Sequence, residues 1–137
     1  MTTTLDSTGF IDYAAFGVSE DDLPSLRALD AVWRTAVAKA AAPYGTTHLL
    51  DEFVARTGEL PLRINENLWQ RSWMHAWHKL SGRGFSLADM FGFFNRATAI
   101  AEADLFGGQP QIGRLQLELF GILRRSVVAA ISCAIEL

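Results

Sequence analysis

The chain has 137 residues, half of them apolar, and a formal net charge of -3 at pH 7. This length corresponds to one domain with its own core, and the single cysteine excludes an intrachain disulfide. The charged residues form no basic stripe, and the longest apolar run, residues 127–135, is too short to span a bilayer. We therefore expect a soluble cytoplasmic domain that binds neither nucleic acid nor membrane.

Apolar residues recur at helical spacing through most of the chain. Each periodic stretch begins with capping residues and ends at a glycine or proline, which indicates separate helices joined by short turns. The predicted fold class is all-α, with about five to six helices in one domain over residues 10–137. Residues 1–9 are expected to be a disordered lead, and residues 10–18 form a short helix or an extended arm. The predicted helices cover about residues 19–41, 46–58, 65–80, 86–106 and 110–137.

The last predicted helix is apolar on two faces. Leu119 and Ile122 lie on one face, and the other face contains Leu123, Val127 and Ile131. The domain's own core covers one such face, and a second copy of the same helix is the most economical cover for the other. We therefore expect a homodimer with these residues at its interface. Because no glycine, asparagine or proline ends this helix, we also expect it to continue into a further domain.

Aromatic residues in the middle of the chain are the candidates for a ligand pocket. The third predicted helix carries Trp73 and Trp77 on one face. The buried stripe predicted for the fourth helix contains Leu87, Phe91 and Phe94. The aromatic rings of both helices can line a pocket for a flat apolar ligand. Ordinary packing between helices accounts for the same spacing, so a ligand pocket and a packed core are the two alternative interpretations.

His75 and His78 are the candidates for ligands of a metal or a haem iron. Their separation of three residues places both on one side of the third predicted helix, as a pair of imidazole ligands requires. The same helical wheel places them beside Arg71 and Lys79, so exposure to solvent is the alternative. The sequence contains no nucleophile elbow, phosphate-binding glycine loop or CxxC motif, and we expect no enzyme active site.

The order of the predicted helices resembles that of the sensor globins. The resemblance is carried by a long first helix, a tryptophan-rich middle helix, the segment from Ser81 to Met90, and a long last helix. Over about residues 10–137 the chain is similar to bacterial globin-coupled sensors and to the non-haem globin-like domains of stressosome proteins. In these families the last two helices of each protomer build a dimer, and the last helix leads into an output domain. The resemblance implies a sensory domain that controls an attached output domain, which we expect to be a diguanylate cyclase.

The resemblance also implies which residues would serve a haem. His78 matches the proximal histidine that precedes a glycine-containing turn, or Leu80 takes this position if the turn is aligned without a gap. Tyr44 matches the distal hydrogen-bond donor and joins the ligand-pocket candidates. The short segment from Thr57 to Asn65 favours a member without haem. The alternatives are therefore a haem-less sensor, a haem protein that senses oxygen or another gas, and a dimerisation or interaction module without a small ligand.

Overall fold

The computed structural model describes residues 13–63, 66–107 and 113–136, with the backbone alone at 115, 116 and 133–136. Every regular element within these ranges is helical, which confirms the predicted all-α class for this part of the chain. None of the helices in these ranges is both long enough and apolar enough to cross a membrane. The α-helices are α1 (Leu23–Ala28), α2 (Asp30–Ala41), α3 (His48–Gly58), α4 (Asn67–Ser81), α5 (Leu87–Phe106) and α6 (Arg114–Glu136).

Short 3-10 turns precede or follow several of these helices. They lie at Tyr13–Phe16, Glu20–Asp22, Ala42–Tyr44 and Leu60–Leu62. The predicted second to last helices agree with α3 to α6 within a few residues. Asn65 and Pro110, near which the third and last helices were predicted to begin, lie outside the described residues, as does the lead predicted for residues 1–9.

The first predicted helix is divided at Leu29, between α1 and α2. The Leu29 N–H donates to the carbonyl of Leu26 at 3.0 Å, and the Trp33 N–H donates to the carbonyl of Leu29 at 2.9 Å. A tighter turn therefore replaces one turn of α-helix without leaving the backbone groups unbonded. Apolar periodicity cannot detect this break, because Leu26, Leu29 and Trp33 keep helical spacing across it and are all fully buried.

The core lies where α2 packs against α5 and where α3 packs against both α2 and α4. Bulky side chains from these four helices meet without exposure to solvent. The largest are Trp33 from α2, Phe53 from α3, Trp73 from α4, and Phe93 and Phe94 from α5. Burial of such rings supplies the main favourable free energy of a domain of this size.

The buried face of α5 differs from the predicted stripe. Phe91 is 37% exposed, and Leu87 is exposed as well, whereas Phe93 is fully buried beside Phe94. The core-facing arc of the helix instead includes Met90, Phe93, Phe94, Ala97 and Ala101. Leu87 and Phe91 were wrongly placed in the core, because adjacent apolar residues allow more than one rotation of the helix and only its neighbours select one.

The second apolar face of α6 is covered by the chain itself. Contacts with α6 come from α5, from α1 and from the turns Tyr13–Phe16 and Leu60–Leu62. Leu123 and Val127 are therefore buried within one protomer, as is Ile122. These three side chains are covered within the chain, and their place at a dimer interface stays a prediction. The turn Tyr13–Phe16 contributes part of this cover.

Candidate functional site

Three of the core tryptophans direct their indole N–H groups towards the end of α3. Trp33 Nε1 donates to the Thr57 carbonyl at 2.9 Å, and Trp73 Nε1 donates to Thr57 Oγ1 at 3.0 Å. Trp69 Nε1 donates to the Arg56 carbonyl at 3.1 Å. The last carbonyls of a helix lack intrahelical partners, so these bonds satisfy both the helix end and the buried indoles. The indole N–H groups of these three tryptophans are therefore hydrogen-bonded inside the protein.

The aromatic pocket candidates of α4 and α5 lie around Phe53. Its ring centroid is 5.9 Å from that of Trp73, 6.1 Å from that of Trp77 and 6.5 Å from that of Phe94. These are contact distances for aromatic pairs, so the rings occupy the interior by packing on one another. The structure thus brings Trp73, Trp77 and Phe94 together, while the exposed Phe91 lies on another side of α5.

His75 and His78 are both exposed on α4, on the side opposite the buried tryptophans. A haem iron needs an axial histidine directed into the space that holds the porphyrin. Here aromatic rings fill the interior next to α4, and the two histidines face outwards, so the described residues do not fit a haem. In the same ranges no group of three His, Cys, Asp or Glu side chains is placed to hold a metal ion.

Tyr44 lies at a cleft of about 420 Å³, which we call the Tyr44 cleft. Its hydroxyl donates to the Asp89 carbonyl at 3.4 Å, and its ring contacts that of Phe85 edge to face at a centroid distance of 5.2 Å. A Cβ at Gly92 would lie 3.2 Å from this hydroxyl, so the glycine leaves room for it. The cleft is lined by Tyr44, Thr47, Leu49, Leu50, Leu80, Arg83, Gly84, Phe85 and Asp89.

Helix ends build the Tyr44 cleft. The Leu50 N–H donates to Thr47 Oγ1 at 3.2 Å, which fixes the start of α3. Ser86 and Asp89 form a reciprocal capping box at the start of α5, with bonds of 2.8 and 3.0 Å. Gly84, with φ of 99°, reverses the chain between α4 and α5. The sequence contains each of these local signals, but only the fold brings them to one place.

A second feature is an exposed surface on α5 and α6, which we call the α5–α6 surface. Leu117 is 55% exposed and Val128 is 48% exposed on α6, and the exposed Phe91 belongs to α5. A shallow groove of about 80 Å³ runs between the two helices and is lined in part by Val128 and Ile131. The predicted interface residues Leu119 and Ile131 are half-buried. Single exposed apolar residues are ordinary, but the spacing of Leu117 and Val128 places both on one side of α6.

Comparison with known proteins gives no match: no family model fits the sequence, and no curated protein or solved structure is significantly similar to it.

Proposed function

We propose that this chain is a globin-like regulatory domain that pairs with a second copy and controls an attached output domain. The observation that carries the proposal is the outward stripe of α6. Its residues alternate in steps of four and three, as in a coiled-coil seam. The stripe contains Leu117, Gly121, Arg124, Val128 and Ile131.

The pairing surface in this proposal is rotated around α6 relative to the one expected from sequence. Leu123 and Val127 hold the inner side of the helix against its own domain. Leu117 and Val128 remain exposed on the outer side. Two copies packed through this surface would place a pair of helices from each protomer in one bundle. A seam of this kind tolerates a polar residue such as Arg124, at a cost in stability.

One helix then connects the core to the partner. A change in core packing that moves Leu123 or Val127 also moves the outer stripe, because both belong to the same rigid helix. This coupling is what a sensory domain needs in order to change an attached domain. A diguanylate cyclase as the output rests on the resemblance to sensor globins alone. The observations favour the haem-less form over the gas-sensing alternative, because exposed His75 and His78 cannot reach the filled interior.

Sedimentation of the purified chain tests the pairing. We expect the mass of a dimer for the wild type and the mass of a monomer for Val128→Lys, because a second positive charge in the seam that already holds Arg124 is not compensated. Leu68→Lys is the matched control, since Leu68 is 78% exposed on α4, which packs mainly on α3. It should keep the wild-type mass. A monomeric wild type at high micromolar concentration would contradict the proposal, as would a dimer that both variants retain.

A further inference from the structure

We propose that the Tyr44 cleft binds a zwitterionic small molecule with a large apolar group, the class to which apolar α-amino acids belong. The cleft volume of about 420 Å³ lies within the range of roughly 300–1,000 Å³ that is typical of small-molecule sites. Leucines from α3 and α4, together with Phe85, give it an apolar floor. An apolar floor with a few polar groups at its edge is the usual composition of such a site.

The charges at the edge of the cleft determine the class of ligand. Arg83 supplies a guanidinium and Asp89 a carboxylate. Neither side chain forms an ion pair within the described part of the chain, with each other or with a third residue. One oxygen of Asp89 accepts the Ser86 N–H in the capping box, and the second remains available. The cleft therefore presents one positive and one negative group above apolar side chains.

A second groove differs from the Tyr44 cleft in how its charges are paired. It lies between the end of α3 and the start of α4, has a volume of about 350 Å³, and is also lined by charged residues. There the charges compensate one another, because Arg56 and Arg63 pair with Glu59 and Glu66 at 3.1 to 3.6 Å. The hydrogen bond to Glu66 raises the pKa of Arg63 above its ordinary value. That groove leaves little charge for a ligand, whereas the Tyr44 cleft leaves two opposite charges.

An apolar amino acid satisfies all parts of the Tyr44 cleft at once. Its carboxylate can pair with Arg83, its ammonium with the free oxygen of Asp89, and its side chain can cover Leu49 and Phe85. A simple carboxylate or a simple amine would leave one of the two protein charges uncompensated next to apolar surface. This proposal does not depend on pairing of two copies, and its measurement is separate from the mass that tests pairing.

Calorimetric titration of the full chain tests the proposal with L-phenylalanine as the probe. We expect saturable binding at millimolar concentration or below, and binding at least about tenfold weaker for phenethylamine and for hydrocinnamate, each of which lacks one charge. Glycine, which has no apolar group, should not bind detectably. Absence of saturable phenylalanine binding would refute the site, and equal binding of the three aromatic probes would refute the zwitterionic class.

Matched variants locate the binding. Arg83→Gln should weaken phenylalanine binding at least about tenfold, while Arg96→Gln, at an exposed arginine of α5 that does not line the cleft, should leave it unchanged. Asp89→Asn should also weaken it, and Asp22→Asn is its control because Asp22 closes the corresponding capping box with Ser19. Circular dichroism establishes that each variant is folded. Undiminished binding by folded Arg83→Gln would exclude the Tyr44 cleft as the site.

Discussion

Thr57 joins two tryptophans to the end of α3. The residue is fully buried, its carbonyl accepts from Trp33 and its hydroxyl oxygen accepts from Trp73. Thr57→Val keeps the shape of the side chain but removes the acceptor of the Trp73 N–H. We expect a loss of about 1–3 kcal/mol in the free energy of unfolding, because a buried donor remains without a partner. Urea denaturation measures this loss.

A double-mutant cycle is the control for Thr57. In a Trp73→Phe background the indole N–H is absent, so Thr57→Val should cost much less than in the wild type. The same cost in both backgrounds would mean that the hydrogen bond at 3.0 Å contributes nothing to stability. The tryptophan residues themselves were evident in the sequence. Their acceptors were not, because Thr57 is sixteen residues away from Trp73 and is brought to it only by the packing of α3 on α4.

Two glycines in the turn between α4 and α5 provide a matched pair. Gly84 has φ of 99°, whereas Gly82 has φ of -67°, which any residue adopts readily. We expect Gly84→Ala to destabilise the fold by about 1–2 kcal/mol through backbone strain. Gly82→Ala should be neutral or stabilise by up to about 1 kcal/mol, because alanine reduces the freedom of the unfolded chain. Thermal unfolding of both variants compares them, and equal effects would contradict this account.

Among the elements, α6 has two sides with different roles. Leu123 is fully buried on its inner side, whereas Leu117 is largely exposed on its outer side. At protein concentrations low enough to suppress pairing, Leu123→Ala should lower the free energy of unfolding by about 2–5 kcal/mol, because it leaves a cavity in the core. Leu117→Ala should stay within about 0.5 kcal/mol of the wild type. Chemical denaturation measures both losses. A larger loss for Leu117→Ala than for Leu123→Ala would mean that α6 turns the side with Leu117 towards the core.

At the scale of the whole molecule, we expect the filled interior to prevent haem from binding. Aromatic rings from α3, α4 and α5 contact one another across the core, and His78 is exposed. We expect protein expressed with supplied haem to show no Soret absorption band, and His78→Ala to leave the spectrum unchanged. An intense Soret band that is lost in this variant would instead establish a haem gas sensor with His78 as the iron ligand.

Local signals in the sequence determined the helices of this protein. Capping residues such as Ser86 and the glycines after α4 act over a few positions, so they predict helix ends without knowledge of the fold. Periodicity likewise predicted the core positions of Trp73 and Phe94, and the outward position of the histidines was recognised as an alternative. All of this follows from spacing along a single helix.

Only the tertiary structure decided which apolar faces are covered and by what. The turn Tyr13–Phe16 covers α6 from the opposite end of the chain, and no local pattern connects the two. The choice between Phe91 and Phe93 as the core residue depends on how α5 is rotated against its neighbours. The Tyr44 cleft likewise forms where separate helix ends meet. Contacts between distant segments, unlike helix ends, are determined by the packing of the complete core.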